Sequence, residues 1–344
     1  MGPADTGLTS LARRRAAAAS EGHVAQAAHE VLAIGNAVDA VVAGILTAAA
    51  EAPGVLLGPV QILAGGAGAG LLAIDGRVRQ PGLDAPRPRG FVAGEPIPEA
   101  ARVGVPVLPA AIATALATLG SVTLLRAAGP ALAAARARSP ERAQVLEALA
   151  RHGAPAMAED AVAIELIAAA GRAARGLLTP EDLAAARPVV TRCDERRLGA
   201  SGVLTVPWRA EAPADASTTH VVAAADGRGL VAIACYEVHL DGVAVPALGL
   251  LAPRLATPVL RGQPRVSPGE PRAASAPIAL RTRQGLIDLA VGVAASPTAD
   301  ASLDAILGAL DTVATIAEAL ALAAGQRTVA IVCARDMART LSSA

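Results

Sequence analysis

The spacing of hydrophobic and polar positions changes along this chain. Over residues 9–50 apolar positions recur at helical spacing, which predicts two helices broken at Gly35-Asn36. In the second helix Ala37, Val38, Ala40, Val41 and Val42 form the apolar face and Asp39 falls off it. Residues 55–63 read as a strand, and the glycine-rich run 65–70 follows. Residues 71–80 then read as a hairpin turning at Asp75-Gly76. The Pro- and Gly-rich stretch 81–109 reads as loop, and helical spacing returns at 108–118, 123–136, 140–151 and 159–175. Thr179-Pro180-Glu181-Asp182 has the form of a helix start, with a capping hydroxyl, a proline in the first turn and two acids at the positive end of the dipole.

A short polar linker, 209–217, separates this half from one of period two. Segments 218–225 and 229–236 flank Asp226-Gly227-Arg228, and 278–282 and 286–292 flank Arg283-Gln284-Gly285, giving two more hairpins. An apolar helix at 302–324 and a last strand at 328–333 complete the pattern. Helices first and hairpins later predict an α+β layered fold, with a helix-rich region over 1–217 and a hairpin-rich region over 218–344 within one structural domain.

Composition limits the possibilities. Of 344 residues, 53% are hydrophobic, so the core has ample material, but Phe91, Trp208 and Tyr236 are the only aromatics. The core must be packed from Ala, Val, Leu and Ile, which requires close backbone approach. The 30 basic residues, all arginine, balance 30 acidic ones, leaving no net field to attract nucleic acid or an anionic membrane. Arg13-Arg14-Arg15 reads as a solvated helix start. The longest apolar run, 40–50, is too short to span a bilayer, and the chain reads as soluble and cytoplasmic. Cys193, Cys235 and Cys333 are far apart and lack the spacing of a disulfide framework or metal site. No cofactor or metal is expected. The glycine run 65–70 lacks the lysine of a phosphate loop and enters a strand. His220 and His239, with Glu237 or Asp241, are the one combination that could gather around a metal, although scattered residues of this kind usually sit apart.

Several segments, in order, resemble the gamma-glutamyltranspeptidase family. They are Gly35-Asn36-Ala37-Val38-Asp39-Ala40, Glu51-Ala52-Pro53 with the glycine run 65–70, and Val105-Pro106. Leu178-Thr179-Pro180-Glu181-Asp182-Leu183, Arg187-Pro188-Val189-Val190 and Thr218-Thr219-His220-Val221 with Asp226-Gly227 follow. The resemblance covers about residues 20–335 and implies a four-layer αββα N-terminal-nucleophile hydrolase. Members of that family cleave themselves before a threonine, whose freed hydroxyl attacks a gamma-glutamyl amide. Here the cleaved bond would be Ser217–Thr218. Thr218 would be the nucleophile, its own α-amine the base, Thr219 its support, and backbone N–H groups around Gly292, Ala294 and Ala295 the oxyanion donors. Without the resemblance, Thr218 reads as a residue opening an ordinary strand, where threonine is common.

The residues that orient a gamma-glutamyl substrate in that family are replaced. Leu83 stands roughly where the carboxylate-gripping arginine belongs, with Arg87 and Arg89 nearby. Ala234-Cys235-Tyr236 replaces a Ser-x-Asn, Ala252-Pro253-Arg254-Leu255 the acidic turn, Ala273-Ala274 the paired serines, and Gly292 to Ser296 a glycine-rich oxyanion loop. Only about 27 residues lie between the Arg-Pro-Val-Val segment and Thr218, where the family has a large region. Two readings follow. One is an amide hydrolase or acyl transferase acting on a different small-molecule amide; the other is a catalytically inactive homologue serving as a scaffold or binding subunit. The short, apolar character also points to a covered surface, as in a homo-oligomer.

Overall fold

The computed structural model describes residues 15–66, 68–86, 88–208, 217–272, 277–294, 299–311, 328–334 and 337–343. Two antiparallel sheets stack face to face with helices on both outer sides. The strands are β1 (Ala16–Ala19), β2 (Val60–Gly66), β3 (Leu71–Gly76), β4 (Val189–Thr191), β5 (Asp194–Leu198), β6 (Ser201–Thr205) and β7 (Ser217–Ala225). They continue with β8 (Leu230–His239), β9 (Val243–Val245), β10 (Leu250–Ala252), β11 (Ile278–Arg283), β12 (Leu286–Val293), β13 (Thr328–Ala334) and β14 (Met337–Ser343). The helices are α1 (Gly22–Leu32), α2 (Ala37–Glu51), α3 (Leu108–Leu119), α4 (Leu124–Ala127), α5 (Gly129–Arg138), α6 (Pro140–His152), α7 (Asp160–Ala170), α8 (Pro180–Ala184) and α9 (Ala299–Asp311).

One sheet has the order β1-β7-β8-β2-β3-β4 and the other β14-β13-β12-β11-β6-β5. Three hydrophobic layers follow from the period-two alternation of the strands. Val222, Ala224, Ala232 and Ala234 face α1, α2 and α3. Val221, Ala223, Ile233 and Cys235 point the other way, against Ile278, Leu280 and Ala290 of the second sheet. The outer face of that sheet, including Val203, Leu289 and Val291, is covered by Ala299, Leu303, Ile306 and Leu307 of α9. The result is the four-layer αββα sandwich expected from the sequence.

Helix α2 is the innermost helix, with every residue from Ala37 to Ala50 buried. Asp39, expected to fall off its apolar face, is instead fully buried. Asn36 and Asp39 form a reciprocal capping box: Asn36 Oδ1 accepts from the Val38 and Asp39 N–H groups, and Asp39 Oδ2 accepts from the Asn36 N–H at 2.7 Å. The Asp39 carboxylate also accepts from the Ser121 N–H and hydroxyl and from the Val122 N–H, while Asn36 Nδ2 donates to the Leu119 carbonyl at 2.7 Å. Gly35 is required by contact, because a Cβ there would stand 2.6 Å from Asp39 Oδ2. The motif Gly35-Asn36-Ala37-Val38-Asp39 therefore fastens the start of α2 to the end of α3.

Other expectations change. Residues 16–19, read within a helix, form β1: four alanines paired with β7, where the small side chains let sheet and helices pack closely. The hairpin is not at Asp75-Gly76 but between β2 and β3, closed by the glycine run; Asp75 instead receives Arg77 and Arg79 near the end of β3. The stretch 189–205 holds three short strands that were not anticipated. The apolar helix is seen as α9, 299–311, and the remainder of the expected 302–324 lies outside the described residues. Strand β14 was also unanticipated. Of the basic cluster, Arg15 donates to the Leu32 and Ala33 carbonyls at the end of α1, and Arg13 and Arg14 lie outside the described residues. Among the described residues, no helix is long and apolar enough to cross a membrane.

The Asp39 cluster generates a stability prediction. Asp39→Ala strands several backbone donors in a buried site and should lower unfolding stability by about 3 kcal/mol or more, read from urea unfolding midpoints. Asn36→Ala should cost about 1–2 kcal/mol through loss of the cap.

Candidate active site

Thr218 is the second residue of β7, a strand held between β1 and β8. The polar segment 209–216 that precedes it lies outside the described residues. In a strand, residues two apart share a face, so Thr218 and His220 lie together, with Val222 and Ala224 further along. Thr218 Oγ1 is 2.9 Å from His220 Nε2. His220 is buried and its ring stacks on Tyr236, its cross-strand partner in β8, with centroids 5.6 Å apart and planes 19° from parallel.

The third member of this group is Glu21, the residue just before α1. Its Oε1 lies 3.6 Å from His220 Nδ1, and its Oε2 accepts from the Tyr236 hydroxyl at 3.4 Å. His23 Nε2 stands 3.8 Å from the same carboxylate. Strand β1 delivers Glu21 to this place. Its ladder with β7 runs to Ala19↔Val222, and Ser20 then bonds Val221 through both backbone and hydroxyl. The next residue in register with β7 is His220. With hydrogen on Nδ1, the nitrogen facing the carboxylate, Nε2 is the ring atom that accepts from the Thr218 hydroxyl.

The opposite face of the same strand ends carries a second polar group. Thr219 pairs across the ladder with Glu237, and Ser217 with His239. Thr219, Glu237 and His239 are all buried. His239 Nε2 approaches Glu237 Oε2 to 2.9 Å without hydrogen-bond geometry. His220 and His239 are thus on opposite faces of the sheet, and the combination considered for a metal is not assembled. Among the described residues no group of three or more His, Cys, Asp or Glu is placed to hold a metal ion.

Further across the inter-sheet side, Gln61 of β2 pairs with both Cys235 and Asp75. Trp208 Nε1 donates to Gln61 Oε1 at 2.6 Å, and the Arg77 guanidinium lies 5.5 Å from the centre of the Trp208 ring. Asp75 receives Arg77 at 3.0 Å and Arg79 at 3.2 Å. Burial pushes the Arg79 guanidinium down from its usual value, opposed by the Asp75 carboxylate. These two arginines and Glu21 were not singled out in the sequence. Arg77 and Arg79 occupy a short inter-strand segment whose alternation identifies them once β3 is known, whereas nothing local marks Glu21.

The other expected positions are spread differently. Gly292 lies within β12, paired with Ile278 and Val329, and a Cβ on it would meet Val221 of β7 at 2.7 Å. Glycine there lets the second sheet approach β7 close to its start. Ala294 follows the end of β12 and is half-buried; Ala295 and the pair Ala273-Ala274 lie outside the described residues. Leu83 is held away from any ligand-gripping role. Its N–H and that of Gly82 donate to the Asp182 carboxylate, and its carbonyl accepts from the Thr179 hydroxyl, joining it to the capping box of α8. Arg254 pairs with Glu99 and Asp241. Cys193 is a neutral thiol at ordinary pH, since burial pushes it up to about 11. A cavity of about 510 Å³ lies between the loops around Phe91 and Arg175, but none of Thr218, Thr219 or His220 lines it.

No protein-family model matches the sequence, and no curated relative does. Solved structures do. The chain is similar to cephalosporin acylase from Bacillus halodurans, with a TM-score of 0.75 at 15% identity and 96% of each chain covered. It is similar to LmbA2991HD with a TM-score of 0.72 at 14% identity, over 97% of this chain and 98% of that one. Gamma-glutamyltranspeptidase from Pseudomonas nitroreducens aligns over 56% of this chain and 70% of that one, at 22% identity and a TM-score of 0.48. At such identities the likeness establishes the architecture, and the chain has the αββα fold of the N-terminal-nucleophile hydrolases.

Proposed function

We propose that this protein is an amide hydrolase or acyl transferase whose nucleophile is the Thr218 hydroxyl, released by self-cleavage of the Ser217–Thr218 bond. The observation that carries the reading is the placement of Thr218 at the start of a central strand in this fold, with its hydroxyl already engaged by a buried imidazole. A threonine hydroxyl at neutral pH is a weak nucleophile until a neighbouring base takes its proton. After cleavage the α-amine of Thr218 is that base. The hydroxyl oxygen attacks the substrate carbonyl, the amine takes the proton and returns it to the leaving amine, and water or a second amine releases the acyl group. Thr219, fixed by its pairing with Glu237, holds the strand end in place. Backbone N–H groups in the segment following Gly292, with Ala294 and Ala295, supply the oxyanion donors in this scheme.

The substrate in this proposal is an acyl amide without a gamma-glutamyl head. Leu83 is committed to the α8 cap and Arg254 to Glu99 and Asp241, so neither position can replace the family's grip on an amino-acid head group.

Purified protein should resolve on a denaturing gel as fragments 1–217 and 218–344, and Thr218→Ala should give one intact band. A wild-type chain that remains intact would favour the inactive-scaffold reading instead. In the cleaved protein, hydrolysis of a simple acyl anilide should exceed that of gamma-glutamyl anilide by about tenfold or more, the equivalent of one missing charge-assisted hydrogen bond. Equal or reversed rates in a chromogenic assay would refute the altered-substrate part.

A further inference from the structure

The α-amine of Thr218 cannot activate the hydroxyl before cleavage, because it is then an amide nitrogen with no basic lone pair. The intact chain needs a different base for its own processing. We infer that His220 is the general base for the self-cleavage step, with Glu21 and Tyr236 as positioning residues. The inference rests on the proposed cleavage at Ser217–Thr218 and adds the group that drives it.

Three independent contacts converge on this assignment. His220 Nε2 is 2.9 Å from Thr218 Oγ1, within the reach required of a general base. The ring is buried and cannot swing freely, because Tyr236 stacks against it and Glu21 faces its other nitrogen at 3.6 Å. The Tyr236 hydroxyl in turn donates to the other oxygen of Glu21, so one carboxylate orients both ring partners. Among the described residues, the groups facing His220 include Thr218 on β7, Tyr236 on β8 and Glu21 before α1, with His23 beyond Glu21. The Thr218 hydroxyl oxygen and the Ser217 carbonyl carbon are four bonds apart, so attack closes a five-membered ring.

The step balances as an N-to-O acyl shift. His220 Nε2 accepts the Thr218 hydroxyl proton as Oγ1 bonds to the Ser217 carbonyl carbon. The tetrahedral adduct then expels the Thr218 nitrogen, which takes the proton from the imidazolium and becomes an amine. The product is an ester between Ser217 and the Thr218 hydroxyl. Water hydrolyses it, leaving the Ser217 carboxylate and a free N-terminal Thr218. His220 is regenerated neutral. Once the amine exists it can serve as base for substrate, so the two bases act in succession on the same oxygen.

The test follows processing of newly made full-length chain in cell-free translation, sampled over time on denaturing gels. His220→Ala and His220→Gln should each slow appearance of the 218–344 fragment by about 10²-fold or more. Added imidazole should restore part of the rate to His220→Ala, which a fold defect would not allow. Glu21→Gln should slow processing less, and the double variant Glu21→Gln/His220→Ala should process no more slowly than His220→Ala alone. Thermal unfolding of each purified variant identifies any that fail to fold. Wild-type rates in both His220 variants overturn the inference while leaving the proposed hydrolase intact. Additive slowing in the double variant overturns the role of Glu21. A wild-type chain that never cleaves overturns both proposals together.

Discussion

The register of β7 between β1 and β8 is the constraint on which the candidate site depends. Side chains alternate along a strand, so a slip of one residue would exchange Thr218 and His220 for Thr219 and Val221 on the helix-facing side. The register is held by the buried partners on both faces: Val222 and Ala224 against the helices, Val221 and Ala223 against the second sheet. The energy that fixes the position of the hydroxyl is therefore the burial of small aliphatic side chains several residues away. Polar contacts at the strand end are then placed by a ladder that the hydrophobic layers have already set.

The alanine-rich composition has a direct structural use here. Strand β1 is four alanines, and it brings Glu21 beside His220 because such a strand can lie between the helix layer and the second sheet without bulk. Gly292 serves the same purpose from the other side, allowing β12 to reach Val221. Close approach of layers is what lets a core with almost no aromatic residues be well packed, and Tyr236 is placed where its ring supports an imidazole and its hydroxyl finds a carboxylate.

The segments that carried the family resemblance turn out to have different physical roles. Gly35-Asn36-Ala37-Val38-Asp39 is a joint between helices, satisfied by the ends of α2 and α3. Thr179 and Asp182 cap α8 and hold the loop containing Leu83. Both are packing and capping devices of the scaffold. Thr218-Thr219-His220 instead opens β7 at the candidate site. A shared scaffold accounts for a structural likeness to cephalosporin acylase over 96% of each chain at 15% identity.

The sequence by itself determined the layered α+β class, the hairpins around Asp226-Gly227-Arg228 and Arg283-Gln284-Gly285, and the α8 cap, because each depends on local period or turn chemistry. Thr218 and His220 share a face once β7 is known to be a strand, since residues two apart do. The sequence alone misread residues 16–19 and Asp39, because an alanine run has no period of its own and a lone acid in an apolar helix looks solvated until its partners are known. Only the tertiary structure decided that Glu21, some 200 residues before His220, would stand beside its ring. That contact follows from the pairing of β1 with β7, a non-local ladder that no local pattern encodes.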